Sequence, residues 1–112
     1  MSSTVAQPEI EEQVFESDET HGDAAKLFHV ILLNDDDHSY DYVVEMLMDL
    51  FAFSEEKAFA HTTEVDKKGH SRLATLPLAE AEQKRDQIHA YGSDPRLPRS
   101  SGAMAALVEP AA

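Results

Sequence analysis

Between Asn34 and His38 the chain reads Asn-Asp-Asp-Asp-His, and a further carboxylate, Asp66, closes a later helical stretch. Ionised carboxylates only accept hydrogen bonds, so such a run can meet a hard metal cation or an ammonium group. Read alone, Asp35 to Asp37 are also an ordinary solvated turn with one member capping a helix. As metal ligands they are poorly arranged. Consecutive residues on an extended turn point apart, the six histidines are scattered, and no second cluster such as His-Glu-x-x-His is present. Cysteine is absent, Ser100-Ser101-Gly102 lacks the context of a nucleophile elbow, and there is no glycine-rich phosphate loop. No catalytic residue, metal ligand or cofactor is therefore assigned, and an enzyme is not expected.

The acidic turn is delivered by an apolar run, Leu27 to Leu33, of strand length. Ser39 is placed to cap a following helix, with Asp41 in its first turn, where a carboxylate suits the helix dipole. Val43, Val44, Leu47, Leu50 and Phe51 then recur at helical spacing, one turn beyond Tyr40. Ser54, followed by Glu55 and Glu56, opens a second helix, against which Phe53 can staple to Ala58. Lys67, Lys68 and Gly69 read as its end. A strand over His70 to Thr75 follows, then a third helix from Pro77 to Gly92 with Ala81, Lys84 or Arg85, Ile88 and Tyr91 inward. A proline-rich loop leads to an edge strand over Ala103 to Val108, stopped by Glu109-Pro110. The order β-α-α-β-α-β implies an α+β fold, a small three-stranded antiparallel sheet packed against three helices.

At 112 residues the chain has room for one domain and a tail. Residues 1–25 hold seven acidic residues and no Lys or Arg, and read as a disordered acidic N-terminal arm; residues 26–112 form the domain. The formal charge of -13 disfavours nucleic acid and favours cationic partners. With no apolar segment long enough for a bilayer and no basic or apolar leader, a soluble cytoplasmic protein without membrane association is expected.

The segment VILLNDDDHSYDYVVEML, the helix beginning SEEKA and the stretch EVDKKG together resemble the ClpS adaptors of the Clp protease system. The likeness is close from Phe28 to Gly69, looser through Leu78 to Tyr91 and weak from Gly92 onward. It implies an adaptor that binds N-degron substrates and delivers them to a Clp AAA+ unfoldase through that unfoldase's N-terminal domain. Such a substrate offers a free α-ammonium, which needs acceptor oxygens, and a large apolar first side chain, which needs a small cavity. By resemblance, Asn34, Asp35, Asp36 and Asp66 surround the ammonium, and His38, Tyr40, Val43, Met46, Thr62, Val65 and Met104 form the cavity. Glu82 and Lys84 would face the unfoldase, and the acidic arm would sit near its pore. Asp66 stands where the family usually has histidine, Tyr40 and Thr62 where it often has methionine, and His38 where it has a small hydroxyl residue. Those departures raise an alternative, a divergent modulator that docks on the unfoldase without reading N-terminal residues.

Overall fold

The computed structural model describes Gln13, Val14 and residues 26–112. Its elements run β1 (Gln13–Val14), β2 (Phe28–Leu33), α1 (Tyr40–Phe51), α2 (Glu55–Lys68), β3 (His70–Leu76), α3 (Leu78–His89) and β4 (Ala106–Pro110). Strands β2, β3 and β4 make the antiparallel sheet implied by the sequence, with β2 central. One strand is added: Gln13–Val14 pairs parallel with the outer edge of β3. The sequence places these two residues in a structureless arm. Pairing there needs only backbone groups, which an otherwise bare sheet edge supplies, so weak apolar character is no bar. The rest of the expected disordered arm, 1–12 and 15–25, lies outside the described residues.

Alternation decides which face of β2 is core. Val30 and Leu32 pack beneath Val43, Met46, Leu47 and Phe51 of α1, Ala58 and Val65 of α2, and Ala81 and Ile88 of α3. Each fully buried side chain of this kind contributes roughly 1.5–3 kcal/mol. A bulge opposite Val30 and Ile31 lets Leu73 and Ala74 of β3 both join the core. β4 runs to Pro110, farther than the expected stop at Glu109. At the end of an edge strand, proline's missing N–H leaves no ladder bond unmade.

The helix ends follow their capping residues. Ser39 Oγ accepts the Tyr42 N–H at 3.2 Å, and Ser54 Oγ the Lys57 N–H at 3.1 Å. α2 ends on Gly69 at φ 89°, a left-handed conformation favourable to glycine. α1 instead ends on Ala52 at φ 58° and has no cation in its last turn. Lys84 of α3 supplies one, its Nζ donating to the Leu50 carbonyl and lying 5.3 Å from the Phe51 ring centre. None of the described helices is long and apolar enough to cross a membrane.

Candidate functional site

β2 ends at Leu33, and two backbone bonds hold the chain as it leaves: Leu33 N–H to the Ala105 carbonyl and Asn34 N–H to the Gly69 carbonyl, both 3.0 Å. The acidic turn is thus fixed between the start of β4 and the end of α2. There it forms one side of a cavity of about 310 Å³ with Asn34, Asp35, Asp36, His38, Tyr40, Val43, Thr62, Val65, Asp66 and Met104 in its wall. Ser39 and Arg99 complete the lining. The lining thus combines three carboxylates, Asp35, Asp36 and Asp66, with the apolar side chains of Val43, Val65 and Met104.

Asp35 is held on one side by two hydrogen bonds. Its Oδ1 accepts from the Asp37 N–H at 2.9 Å and from His38 Nδ1 at 2.7 Å. Its Oδ2 takes no hydrogen bond from the described residues. Across the mouth, the Tyr40 hydroxyl donates to Asp66 Oδ2 at 2.7 Å, which raises the Tyr40 pKa because ionisation would set two negative oxygens together. The Tyr40 ring meets Phe59 at 5.6 Å. The Thr62 hydroxyl gives its proton to the Ala58 carbonyl at 2.8 Å, so toward a ligand it can only accept. Two of the four expected ammonium partners, Asp35 and Asp66, are therefore held by different devices, one by a histidine and one by a phenol.

Sequence reasoning missed the loop that closes this cavity. Asp94 is buried and accepts from the Ser39 N–H at 2.6 Å and the Arg96 N–H at 2.9 Å. Burial alone would push its pKa up, but these two backbone donors, reinforced by the Arg96 guanidinium, outweigh it and hold the group down at about 2. The loop is thereby pinned to the start of α1. Arg99 reaches from it to the Asp36 carbonyl at 2.6 Å and to Asp37 Oδ1 at 3.1 Å, partly neutralising the turn. The Tyr42 hydroxyl donates to the Gly92 carbonyl, and its ring meets His38 at a tilt, centroids 4.6 Å apart, and Tyr91 edge-to-face at 5.6 Å. An Asp-Pro pair, here Asp94-Pro95, is a turn signal visible in the sequence, but nothing local says that its carboxylate is buried.

Two expected placements change. Met46 is wholly buried in the core and does not line the cavity; one turn beyond Val43, its side chain falls under the sheet. Lys84 is half-buried and bound to the end of α1, whereas Glu82 is exposed. A larger hollow, about 590 Å³, lies on the sheet face turned away from the core, around Ile31, Leu33, Arg72 and Leu107. It is shallower, and its two acids, Glu64 and Glu109, are matched by Lys68 and Arg72, so the smaller and more strongly acidic cavity is the candidate site.

The fold and the cavity define a small α+β domain with an acidic pocket of side-chain size. The family model described as ATP-dependent Clp protease adaptor protein ClpS matches residues 23–98. The chain belongs to the ClpS family of Clp protease adaptors. It is 34% identical over 73 residues to the ClpS of Nautilia profundicola, covering 65% of this chain and 75% of that one. With the ClpS of Bdellovibrio bacteriovorus the identity is 37% over 79 residues, covering 70% and 69%. The solved structure of Agrobacterium tumefaciens ClpS2 bound to L-phenylalaninamide superposes with a TM-score of 0.66 at 25% identity, covering 76% of this chain and 96% of that one.

Proposed function

We propose that this adaptor reads N-degrons: it holds a free α-ammonium between Asn34, Asp35, Asp36 and Asp66 and encloses the first side chain against Tyr40, Val43, Thr62, Val65 and Met104. The observation that carries this reading is Asp35 Oδ2, which takes no hydrogen bond from the described residues, in a cavity of about 310 Å³ that Val43, Val65 and Met104 also line. A carboxylate oxygen open to a ligand complements an ammonium by charge and hydrogen bond, and the apolar lining residues account for selection by size. The neighbouring ClpS2 structure, with an aromatic amino-acid amide bound, supports the same chemistry. Tyr40 is larger and stiffer than methionine, and Thr62 smaller and polar, so the set of accepted first residues is this chain's own.

Delivery follows in the same reading. The domain docks on the N-terminal domain of a Clp AAA+ unfoldase through the face bearing Glu82, with Lys84 shaping that face by holding α1 and α3 together, and it works in the cytoplasm. Asp35→Asn separates binding from docking. The variant should lose peptide binding in solution yet still be retained on immobilised unfoldase N-terminal domain. If wild type and variant are retained alike and neither binds any peptide with a free N-terminus, the adaptor is a modulator and the N-degron reading is wrong.

A further inference from the structure

His38 sits where the acidic turn, the start of α1 and the loop before β4 meet, and its side chain is only 3% exposed. Nδ1 lies 2.7 Å from Asp35 Oδ1, and Nε2 lies 2.7 Å from the Gly102 carbonyl oxygen. An ionised carboxylate and a peptide carbonyl have no proton to give. A neutral imidazole carries one N–H and one lone pair. It can satisfy one of these oxygens, but must then set its lone pair against the other at hydrogen-bond distance. Only the imidazolium donates to both.

We infer that His38 is a buried imidazolium staple, a positioning residue that holds Asp35 and the wall carrying Met104 in register for the ammonium of a bound N-terminus. The ligand in this statement rests on the N-degron reading; the protonation state rests on the two acceptors. Through Nδ1 the staple takes up Asp35 Oδ1, so that Oδ2 remains for the ligand. Through Nε2 it fixes Gly102, two residues before Met104. The charges about the ring are Asp35 on the turn and Asp94 on the loop, and the Tyr42 ring of α1 packs against it at a tilt. The loop cations are engaged elsewhere, Arg96 with Asp94 and Glu45, and Arg99 with Asp37 and the Asp36 carbonyl. Burial works against the charged ring, but the bonds to Asp35 and Gly102 and the two carboxylate charges prevail, and the His38 pKa is raised. Being raised, the pKa sets the sign: the staple is complete at low pH and is lost as pH rises through the folded-state value. Proton loss breaks one of its two bonds, freeing either Asp35 or the Met104 wall.

Nitrogen NMR of the imidazole in the full chain tests the charge directly. Both His38 ring nitrogens should be protonated at pH 6, and the ring should titrate above the ordinary histidine value of about 6.5. A single protonated nitrogen at pH 6 would overturn the inference. Binding of a peptide with a free N-terminal Phe, compared between wild type and His38→Gln across pH, tests the positioning role. Wild type should bind roughly tenfold more tightly at pH 6, equivalent to about 1.4 kcal/mol, and the ratio should fall toward one as pH rises past the His38 pKa. Deprotonation of the peptide amine affects both proteins and leaves the ratio unchanged. A ratio independent of pH contradicts the staple. If neither protein binds any peptide, the N-degron reading fails by itself. Amide exchange at Gly102 and Met104, faster in His38→Gln if the staple holds and unchanged if it does not, then decides the inference.

Discussion

Asp94→Ala tests how the pocket is assembled. The Asp94 side chain is fully buried and joins the loop before β4 to the first residue of the α1 cap, accepting from the backbone N–H groups of Ser39 and Arg96. A hydrogen bond to a charged group contributes about 1.5–3 kcal/mol, and a buried donor left without a partner costs about 1–3 kcal/mol. Ser39 is half-buried, so its N–H cannot wholly turn to water, whereas exposed Arg96 can. The expected loss is therefore about 2–4 kcal/mol, read as a lower urea midpoint at unchanged m-value. Peptide binding should weaken with it, since the same loop supplies Arg99 and Met104 to the cavity. The pH dependence provides a second check. The folded pKa is lowered from 3.8 to about 2, so the stability Asp94 contributes is present above the unfolded value and lost as pH falls toward 2. The gap between wild type and Asp94→Asn should be full at neutral pH and shrink through this acid range. A cost below about 0.5 kcal/mol, the level of an ordinary surface substitution, or a gap unchanged by acid, would refute the reasoning.

Three further substitutions have definite expectations. Tyr40→Phe removes the phenol that occupies Asp66 Oδ2; calorimetric titration should show a free N-terminus bound several-fold more tightly, with stability changed by less than about 0.5 kcal/mol. Ala52→Gly relieves a left-handed alanine at φ 58° and should raise stability by about 0.5–1 kcal/mol in urea unfolding. Lys84→Met keeps the apolar stem but loses the bond to the Leu50 carbonyl and the cation beside Phe51. It should cost about 0.5–1.5 kcal/mol by thermal melting, so a docking defect in that variant reflects α1 as well as the lost charge.

The sequence carried what is periodic or locally capped. β2, α1 and α2 could be read from an apolar run, from Val43, Leu47 and Phe51 at helical spacing, and from Ser39, Ser54 and Gly69 at their ends. What it did not carry was set by partners distant in the chain. Asp94 looks like any loop aspartate until Ser39, 55 positions away, donates to it. The helical pattern turns Lys84 or Arg85 inward, but nothing local says that the Lys84 ammonium meets the carbonyl of Leu50, 34 positions away. Met46 shares a helical stripe with Val43, and spacing alone does not say that the cavity stops between them. Gln13 and Val14 lie in an acidic stretch with too little apolar surface for a core, yet a strand edge asks only for backbone. His38 reads as a rim residue, and only the two oxygens flanking its ring make it a cation.

The most direct measurement of the central claim is fluorescence anisotropy of labelled peptides beginning with Leu, Phe, Tyr, Trp or Ile, each compared with its N-acetylated form. Acetylation removes the ammonium and leaves the Asp35 and Asp66 carboxylates facing a neutral amide, a loss of about 2–5 kcal/mol for a desolvated charge pair. The account predicts binding of at least one free apolar N-terminus that acetylation abolishes, with a ranking set by Tyr40 and Thr62. Equal binding of free and acetylated peptides, or no binding of either, would contradict it.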